Sequence, residues 1–530
     1  MRCWRVDVLL SENEGYKMKH KKIEKVELMD STLRDGEQTA GVSFNSKEKE
    51  SIAFALYDAG IRRIEMASAC ASDQDFEAVK NTTKSLEDAG CENVVECLSF
   101  VLKPHIDWIK NSGAVCANLL VKSSTDHVAQ LGGKGSDDHI RDVLEVVDYA
   151  RENGLCVNAY LEHFSYGVQH SRLYVHELVE SLCSAKVRKV MLADTMGLFS
   201  LEQTEEYVRD VTHKFPKVHF DIHAHNDYGL ATANTLVGIK CGCRGAHVTV
   251  NGLGERAGNA SLETVAVSLK DFFGVETVKE DKIMALSKLV KTLSGAKVEA
   301  NHPIVGRNSH VHKAGVHAHG ALRGLYMNQL LEGNRFNKTV SYDLGKLSGK
   351  ASVSGELEKM GIKSPDMGIV AHLVGEIKML SERKNIVTTN DLLLLYLQKM
   401  NKDAGGYRLV KVDMQKIYTC DKTSALAEVT LMSEGVASTV KGNGDGGFDA
   451  IASAIKKITG LEIKLKDYHV GIPPGDGTSS LVDTAIDWQY SKRILKTRGI
   501  HTDQDIAAAF AMIKAVNQVN VLRKFEKTVQ

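Results

Sequence analysis

The chain has 530 residues, 67 Lys+Arg against 67 Asp+Glu, and 43% hydrophobic residues. That length allows two or three domains, each burying a real core. Balanced charge without a basic block excludes a general nucleic-acid binder, and no apolar run reaches the roughly 20 residues of a bilayer span, so cytoplasmic small-molecule chemistry is the expectation.

Residues 1–22 carry no sustained pattern and read as a disordered extension, with Met18 as a second candidate start. The stretch 3–10 is broken by Arg5 and Asp7, so it is not a signal-peptide core. The 10 cysteines include no C-x-x-C pair and read as reduced, mostly buried thiols. Cys241 and Cys243 have only His247 nearby to add to a zinc set, which leaves four ligands incomplete.

Between Lys25 and Glu255 one unit repeats about every 30 residues, a short apolar strand and then an amphipathic helical stretch. Strands are predicted at 26–31, 63–67, 94–100, 117–121, 157–161, 190–193, 219–223 and 245–250, and helices at stretches such as 46–59, 137–153 and 174–185. Eight such units close into a parallel (β/α)8 TIM barrel within residues 23–295. Such barrels carry their chemistry at the C-terminal ends of the strands. The polar clusters 30–38, Glu162-His163, Asp194-Thr195, 223–227 and 251–259 fall at five of those ends. Helix capping accounts for any one of them alone.

His223 and His225 leave one strand end on the same face, so the two imidazoles can share a metal ion. The bland alternative packs one and solvates the other. Asp35, His223, His225 and Asn259 together offer a carboxylate, two imidazoles and an amide without thiolate, a set suited to Mg, Mn, Co or Zn. A divalent ion held by so few groups keeps open positions for a substrate and acts as a Lewis acid. Arg34, beside Asp35, is placed to stabilise developing oxyanion charge. The combination fits carbon–carbon bond formation or cleavage next to a carbonyl.

Residues 296–403 read as a linker: a helix candidate at 283–294 leads into it, a His-rich segment follows at 301–320, then helices at 349–361, 366–383 and 389–400. Residues 404–530 form a small α+β domain, with strands at 409–418, 423–432, 461–470 and 480–487 and helices at 448–459 and 502–518. Two Gly-rich loops, 442–447 and 471–477, are candidate small-ligand sites or plain connections.

Three segments carry a resemblance. Asp30-Ser-Thr-Leu-Arg34-Asp35-Gly36-Glu37-Gln38, His223-Ala-His225-Asn226-Asp227 and Asn251-Gly-Leu-Gly-Glu255-Arg256-Ala-Gly258-Asn259 are similar to the signatures of the acyl-CoA-condensing metalloenzymes that include 2-isopropylmalate, homocitrate and citramalate synthases. The tail, with Gly442, Gly444, Asp449, Asp505 and the loop holding Gly475 and Gly477, resembles their leucine-binding regulatory domain. The resemblance implies Asp35, His223 and His225 as metal ligands with Asn259 at or beside the ion, Arg34 on the reacting carbonyl, Glu162 and Thr195 on the 2-oxo acid, and Glu255 as an acidic residue of the same mouth. It implies His317, with Tyr326 as companion, as the acid/base group that a partner subunit's linker delivers. The expected reaction joins acetyl-CoA to 3-methyl-2-oxobutanoate, with leucine as effector and a homodimer or higher homo-oligomer as the assembly. Pyruvate or 2-oxoglutarate are the alternative acceptors. A lyase is disfavoured by Gly36-Glu37-Gln38, and an idle amino-acid-binding paralogue by the presence of Arg34, Asp35 and His317. Glu162-His163, Lys122 to His127 and the linker around His317 depart from the common pattern, which bears on the acceptor rather than on the reaction.

Overall fold

In the computed structural model, the residues described are 23, 25–312, 333–337, 341–342, 344–345, 348–360, 362, 365–383, 387, 389–399, 406–418, 423–471, 482–491 and 493–529. The expectations for 1–22, His317, Tyr326, Gly475 and Gly477 lie outside them. The chain divides into two compact units, residues 1–310 with 328–340, and residues 311–327 with 341–530.

The first unit is the barrel. Strands β1 (Glu27–Asp30), β2 (Ile64–Ser68), β3 (Val95–Ser99), β4 (Cys116–Lys122), β5 (Cys156–Glu162), β6 (Lys189–Asp194), β7 (Phe220–Ala224) and β8 (Gly245–Val248) pair in chain order and close on themselves, all parallel. The strands are almost wholly buried because helices cover their outer faces. Those helices start where the chain supplies caps: Asn45 and Glu48 make a capping box for Ser46–Ala59, and Ser200 and Gln203 make one for Leu201–Lys214.

The barrel interior is only partly apolar. Met29, Leu98, Tyr160, Met191 and Ala193 form one buried cluster. Below it, Arg63 donates from Nε to Glu96 at 2.7 Å and from Nη1 to Asp221 at 2.6 Å, and His247 Nε2 lies 3.3 Å from the same Asp221 oxygen. These charges are out of water and are compensated mainly by one another, with His219 on Asp221 and Asn158 on Glu96, so losing one partner is costly.

Asp30 shows what burial without a countercharge does. It ends β1 fully buried, accepts a hydrogen bond from the Thr32 N–H at 2.9 Å, and is pushed up to about 7 by burial, with Glu263 adding to the rise. The folded state therefore holds a proton that the unfolded chain releases near pH 4. Stability contributed by this group is fully present below about pH 4 and is lost as pH rises through about 7. Asp30→Asn is expected to stabilise the protein at pH 8 by up to a few kcal/mol relative to its effect at pH 4, because each pH unit between the unfolded and folded titrations is worth on the order of 1.4 kcal/mol. Denaturant melts at the two pH values check this; an equal effect at both would show that Asp30 is ionised when folded.

In the second unit, helices Lys350–Lys359, Met367–Arg383 and Thr389–Lys399 precede two antiparallel sheets. The first sheet is β9 (Arg408–Tyr418), β10 (Thr423–Ser433) and β11 (Val436–Gly444), followed by the helix Gly447–Thr459. The second is β12 (Lys464–Gly471), β13 (Val482–Tyr490) and β14 (Arg493–His501), followed by the helix Gln504–Val529. Each sheet thus has one strand more than the sequence pattern indicated. β11 is exposed along most of its length, so it lacks the apolar alternation that marks a half-buried strand. In β14 the inward positions are Leu495, Thr497 and Gly499, only one of them apolar and large. The last helix runs past residue 518 because Val519 and Leu522 continue its buried face.

Gly442 and Gly444 have a packing reason. A Cβ on Gly442 would lie 2.2 Å from the Ala450 carbonyl oxygen, and one on Gly444 2.5 Å from the Ala450 nitrogen, so the helix rests directly on the β11 backbone. Asp449 Oδ2 accepts from the Asp445 N–H at 3.2 Å and closes that turn.

Candidate active site

The turn after β1 is built to hold two side chains still. Thr32 Oγ1 accepts from the Val250 N–H at 2.8 Å, which ties the turn to the end of β8. Lys49, buried, pairs with Glu37 Oε2 and Asp75 Oδ1, each at 2.7 Å, and so anchors the segment following Asp35. Thr39 Oγ1 donates to the Gly254 carbonyl at 3.1 Å and accepts from the Gly254 N–H at 2.8 Å. The 251–259 loop folds back on itself at Gly258 (φ +89°), where a Cβ would lie 2.0 Å from the Gly252 carbonyl oxygen.

These constraints bring Asp35, His223 and His225 together. One ligand-type atom of each lies within 4.8 Å of the others. His223 Nε2 and His225 Nε2 are 3.2 Å apart, and they stand 3.4 and 3.8 Å from Asp35 Oδ2. The bland reading of the pair, one imidazole packed and one solvated, does not hold: both are buried and both aim Nε2 at the same carboxylate. Burial first, then His225, His247 and Arg34, pushes the His223 imidazole well below its ordinary range, and burial also lowers His225. Neutral imidazoles present the lone pair a metal needs.

The set fits a divalent cation by what it leaves unsatisfied. Neither Asp35 carboxylate oxygen has a hydrogen-bond partner, nor does the Asn259 side-chain oxygen, and all are buried. Asn259 is bridged to His225 through the backbone, and its Nδ2 donates to the Leu253 carbonyl at 3.1 Å. Buried polar atoms are normally paired, so a group of orphaned oxygens beside two neutral imidazoles could hold a cation. Among the described residues no other cluster of three such ligands occurs, and Cys241 and Cys243 are simply buried thiols.

Arg34 lies against this set, with Nη1 3.4 Å from Asp35 Oδ2. Glu65, the second residue of β2, holds it from behind: Arg34 Nε and Nη2 reach Glu65 Oε2 at 2.7 and 2.6 Å. Ser31 Oγ, at 2.6 Å, and Tyr160 OH, at 3.3 Å, donate to that oxygen, and Asn118 Nδ2 donates to the other at 2.9 Å. The sequence reading missed Glu65 and Tyr160. Their signal was there, a fully buried carboxylate and a phenol inside strands that otherwise read as apolar.

The remaining mouth residues divide in two. Arg256 clamps Asp227 through two bonds of 2.8 and 3.0 Å and donates to the Thr195 carbonyl at 2.7 Å, while Glu255 stands at the exposed rim with Arg256 Nη1 at 3.2 Å. Thr195 Oγ1 accepts from the His163 N–H at 2.8 Å. On the other side, Lys122 at the end of β4 forms an ion pair with Glu162 at the end of β5, and the His127 and His163 rings stack at 5.4 Å. The two segments that depart from the family pattern therefore touch each other.

A family model described as HMGL-like matches residues 25–290, the barrel. A second, the LeuA allosteric (dimerisation) domain, matches residues 386–520. A relative from Archaeoglobus fulgidus carrying the name putative (R)-citramalate synthase is 33% identical over 506 residues, 93% of this chain and 99% of its own length. A 2-isopropylmalate synthase from Methanocaldococcus jannaschii is 30% identical over 508 residues, 95% of this chain and 96% of its own.

The chain belongs to the isopropylmalate, homocitrate and citramalate synthase family.

It is an enzyme of that family, and its two family domains coincide with the TIM barrel and with the sheet-and-helix units of the tail. No helix among the described residues is long and apolar enough to cross a membrane.

Proposed function

We propose that the enzyme condenses acetyl-CoA with 3-methyl-2-oxobutanoate, releasing 2-isopropylmalate and CoA, in the cytoplasm and as a homodimer or higher homo-oligomer. The observation that carries the reaction type is the buried Asp35, His223 and His225 set with Arg34 beside it. Asp35, His223 and His225 would hold a divalent cation (Mg, Mn, Co or Zn), with Asn259 completing the wall. Such an ion supplies Lewis acidity toward the 2-oxo group of the acceptor.

The chain's own groups do the rest. Arg34, fixed by Glu65, presents a guanidinium where the acceptor carbonyl gains negative charge as the new bond forms. Thr195 and the Lys122–Glu162 pair border the acceptor from β6, β5 and β4. His317, with Tyr326, is assigned the methyl proton of acetyl-CoA on the strength of the sequence resemblance, the resulting enolate attacks the acceptor carbonyl, and water releases CoA. Glu255 waits at the rim, paired with Arg256. The match of the tail to the LeuA allosteric domain supports leucine as effector, with Gly442, Gly444, Asp449, Gly475 and Gly477 as candidate contacts.

A second reading, pyruvate as acceptor, is favoured by one observation. The Lys122–Glu162 ion pair makes the β4/β5 side of the mouth polar, and a branched alkyl group packed on it would desolvate both charges. A thiol-release assay with acetyl-CoA and a panel of 2-oxo acids separates the readings. The highest kcat/KM is expected with 3-methyl-2-oxobutanoate, and a falling rate as leucine is added. Preference for pyruvate would move the assignment to citramalate synthesis, and a flat leucine response would remove the effector. Absence of CoA release with every acid would sink the synthase reading.

A further inference from the structure

At the closed end of the barrel, opposite the mouth, Cys116 opens β4 and Cys156 opens β5, and the two are register partners across the parallel ladder. Neighbouring strands lie about 4.8 Å apart, inside the Cα separation of roughly 4.4–6.8 Å that a disulfide spans. Both are free thiols, Cys116 buried and Cys156 exposed.

Their surroundings divide the work between them. Cys116 is held from within by Asn158 Nδ2, which donates to its sulfur at 3.2 Å, and Cys156 is its neighbour across the ladder. Arg188 Nη1 stands 3.9 Å from the Cys156 sulfur. Arg188 also lines, with Val115, a recess of about 530 Å3 at this face, and Cys156 is itself exposed to small solutes. The adjacent Cys116 thiol, with the Arg188 charge, lowers Cys156 to about 6 against the opposing effect of burial, while burial pushes Cys116 well up. The exposed Cys156 is therefore the more acidic, attacking member, and the buried Cys116 the one held in reserve.

We propose that Cys116 and Cys156 form an oxidisable dithiol that closes to a reversible disulfide on exposure to a hydroperoxide. The Cys156 thiolate attacks the O–O bond of hydrogen peroxide and keeps one oxygen as sulfenic acid, and the other leaves as hydroxide and is protonated to water. The Cys116 sulfur then displaces the sulfenic oxygen as a second water, forming the S–S bond. Together the two thiols give up two electrons and two protons, and one peroxide becomes two waters. A pair of this kind fits a reducing compartment, where disulfides are transient rather than structural.

The test uses the full chain, treated with a small excess of hydrogen peroxide, alkylated and mapped by mass spectrometry without reductant. Expected are a loss of about 2 Da and a linked pair of peptides containing Cys116 and Cys156, both reversed by dithiothreitol. Cys156 should be consumed about tenfold faster than the exposed Cys70 and Cys183. In Cys116→Ser, oxidation of Cys156 should stop at sulfenic acid, trapped by dimedone with no linked peptide. If Cys116 and Cys156 stay alkylatable while Cys70 or Cys183 oxidises, the pair is inert and the proposal falls. It falls equally if Cys156 sulfenic acid persists in the unmodified sequence with Cys116 still alkylatable. The wild-type arms need no variant to fold, and the mass readout is independent of the acceptor the enzyme uses.

Discussion

His225→Ala is expected to abolish metal-dependent turnover while leaving the barrel folded. Lewis-acid stabilisation at such a site is worth several kcal/mol, and each 1.36 kcal/mol is tenfold in rate, so the loss should be on the order of 10^3-fold. The fold should survive because His225 lies just beyond β7, which ends at Ala224, and makes its one bridge to Asn259 through backbone atoms. Removing the ring also relieves a crowded pair whose Nε2 atoms are 3.2 Å apart. Circular dichroism should be unchanged, metal titration weakened, and CoA release lost. Unchanged turnover would show that the two imidazoles are structural.

Glu65→Gln is the second large effect, and it tests a residue that touches neither substrate nor metal ligand in the proposed arrangement. Glu65 acts through Arg34, which it holds at 2.6 and 2.7 Å with a single oxygen that Ser31 and Tyr160 also reach. The amide keeps the shape and removes the charge, leaving the guanidinium free to swing toward Asp35, 3.4 Å away. Residues that orient a catalytic shell typically cost 10–100-fold when changed, so kcat is expected to fall by about that factor with KM for acetyl-CoA little moved. Glu65→Asp, which restores the charge, should recover part of the loss. A rise in KM with kcat intact would instead place Glu65 in binding. Glu65→Ala should also cost stability, on the order of 3–5 kcal/mol, because it removes the two short contacts that compensate the buried guanidinium and leaves only Asp35 at 3.4 Å.

These expectations mix what was legible in the linear chain with what was not. The barrel was legible because its signals are local: short strands of four to seven residues recur between helical stretches, and some of those helices, such as Ser46–Ala59 and Leu201–Lys214, begin at a capping box. The His223, His225 pair was legible for the same reason, since a strand sends alternate residues to one side whatever surrounds it. Asp35, Arg34 and Asn259 were marked by their place at strand ends. The extra strands β11 and β14 were not legible, because one is solvent-exposed and the other keeps Gly499 directly against the Ala507 carbonyl, with 1.8 Å to a built Cβ. Neither displays the alternation a half-buried strand normally prints into its residues.

By itself, then, the amino-acid order determined the eight-unit barrel, the end of it that carries chemistry, and the residue types gathered there. Only the tertiary structure decided which side chains meet. Glu65 reaches Arg34 across 31 residues, Tyr160 across 126 from the same Arg34, and Lys122 meets Glu162 through the register of β4 and β5. Such contacts depend on how far each strand is staggered when the barrel closes. That stagger is a property of the whole ring of hydrogen bonds, so no local pattern records it, and a buried carboxylate in an apolar strand discloses its partner only after closure.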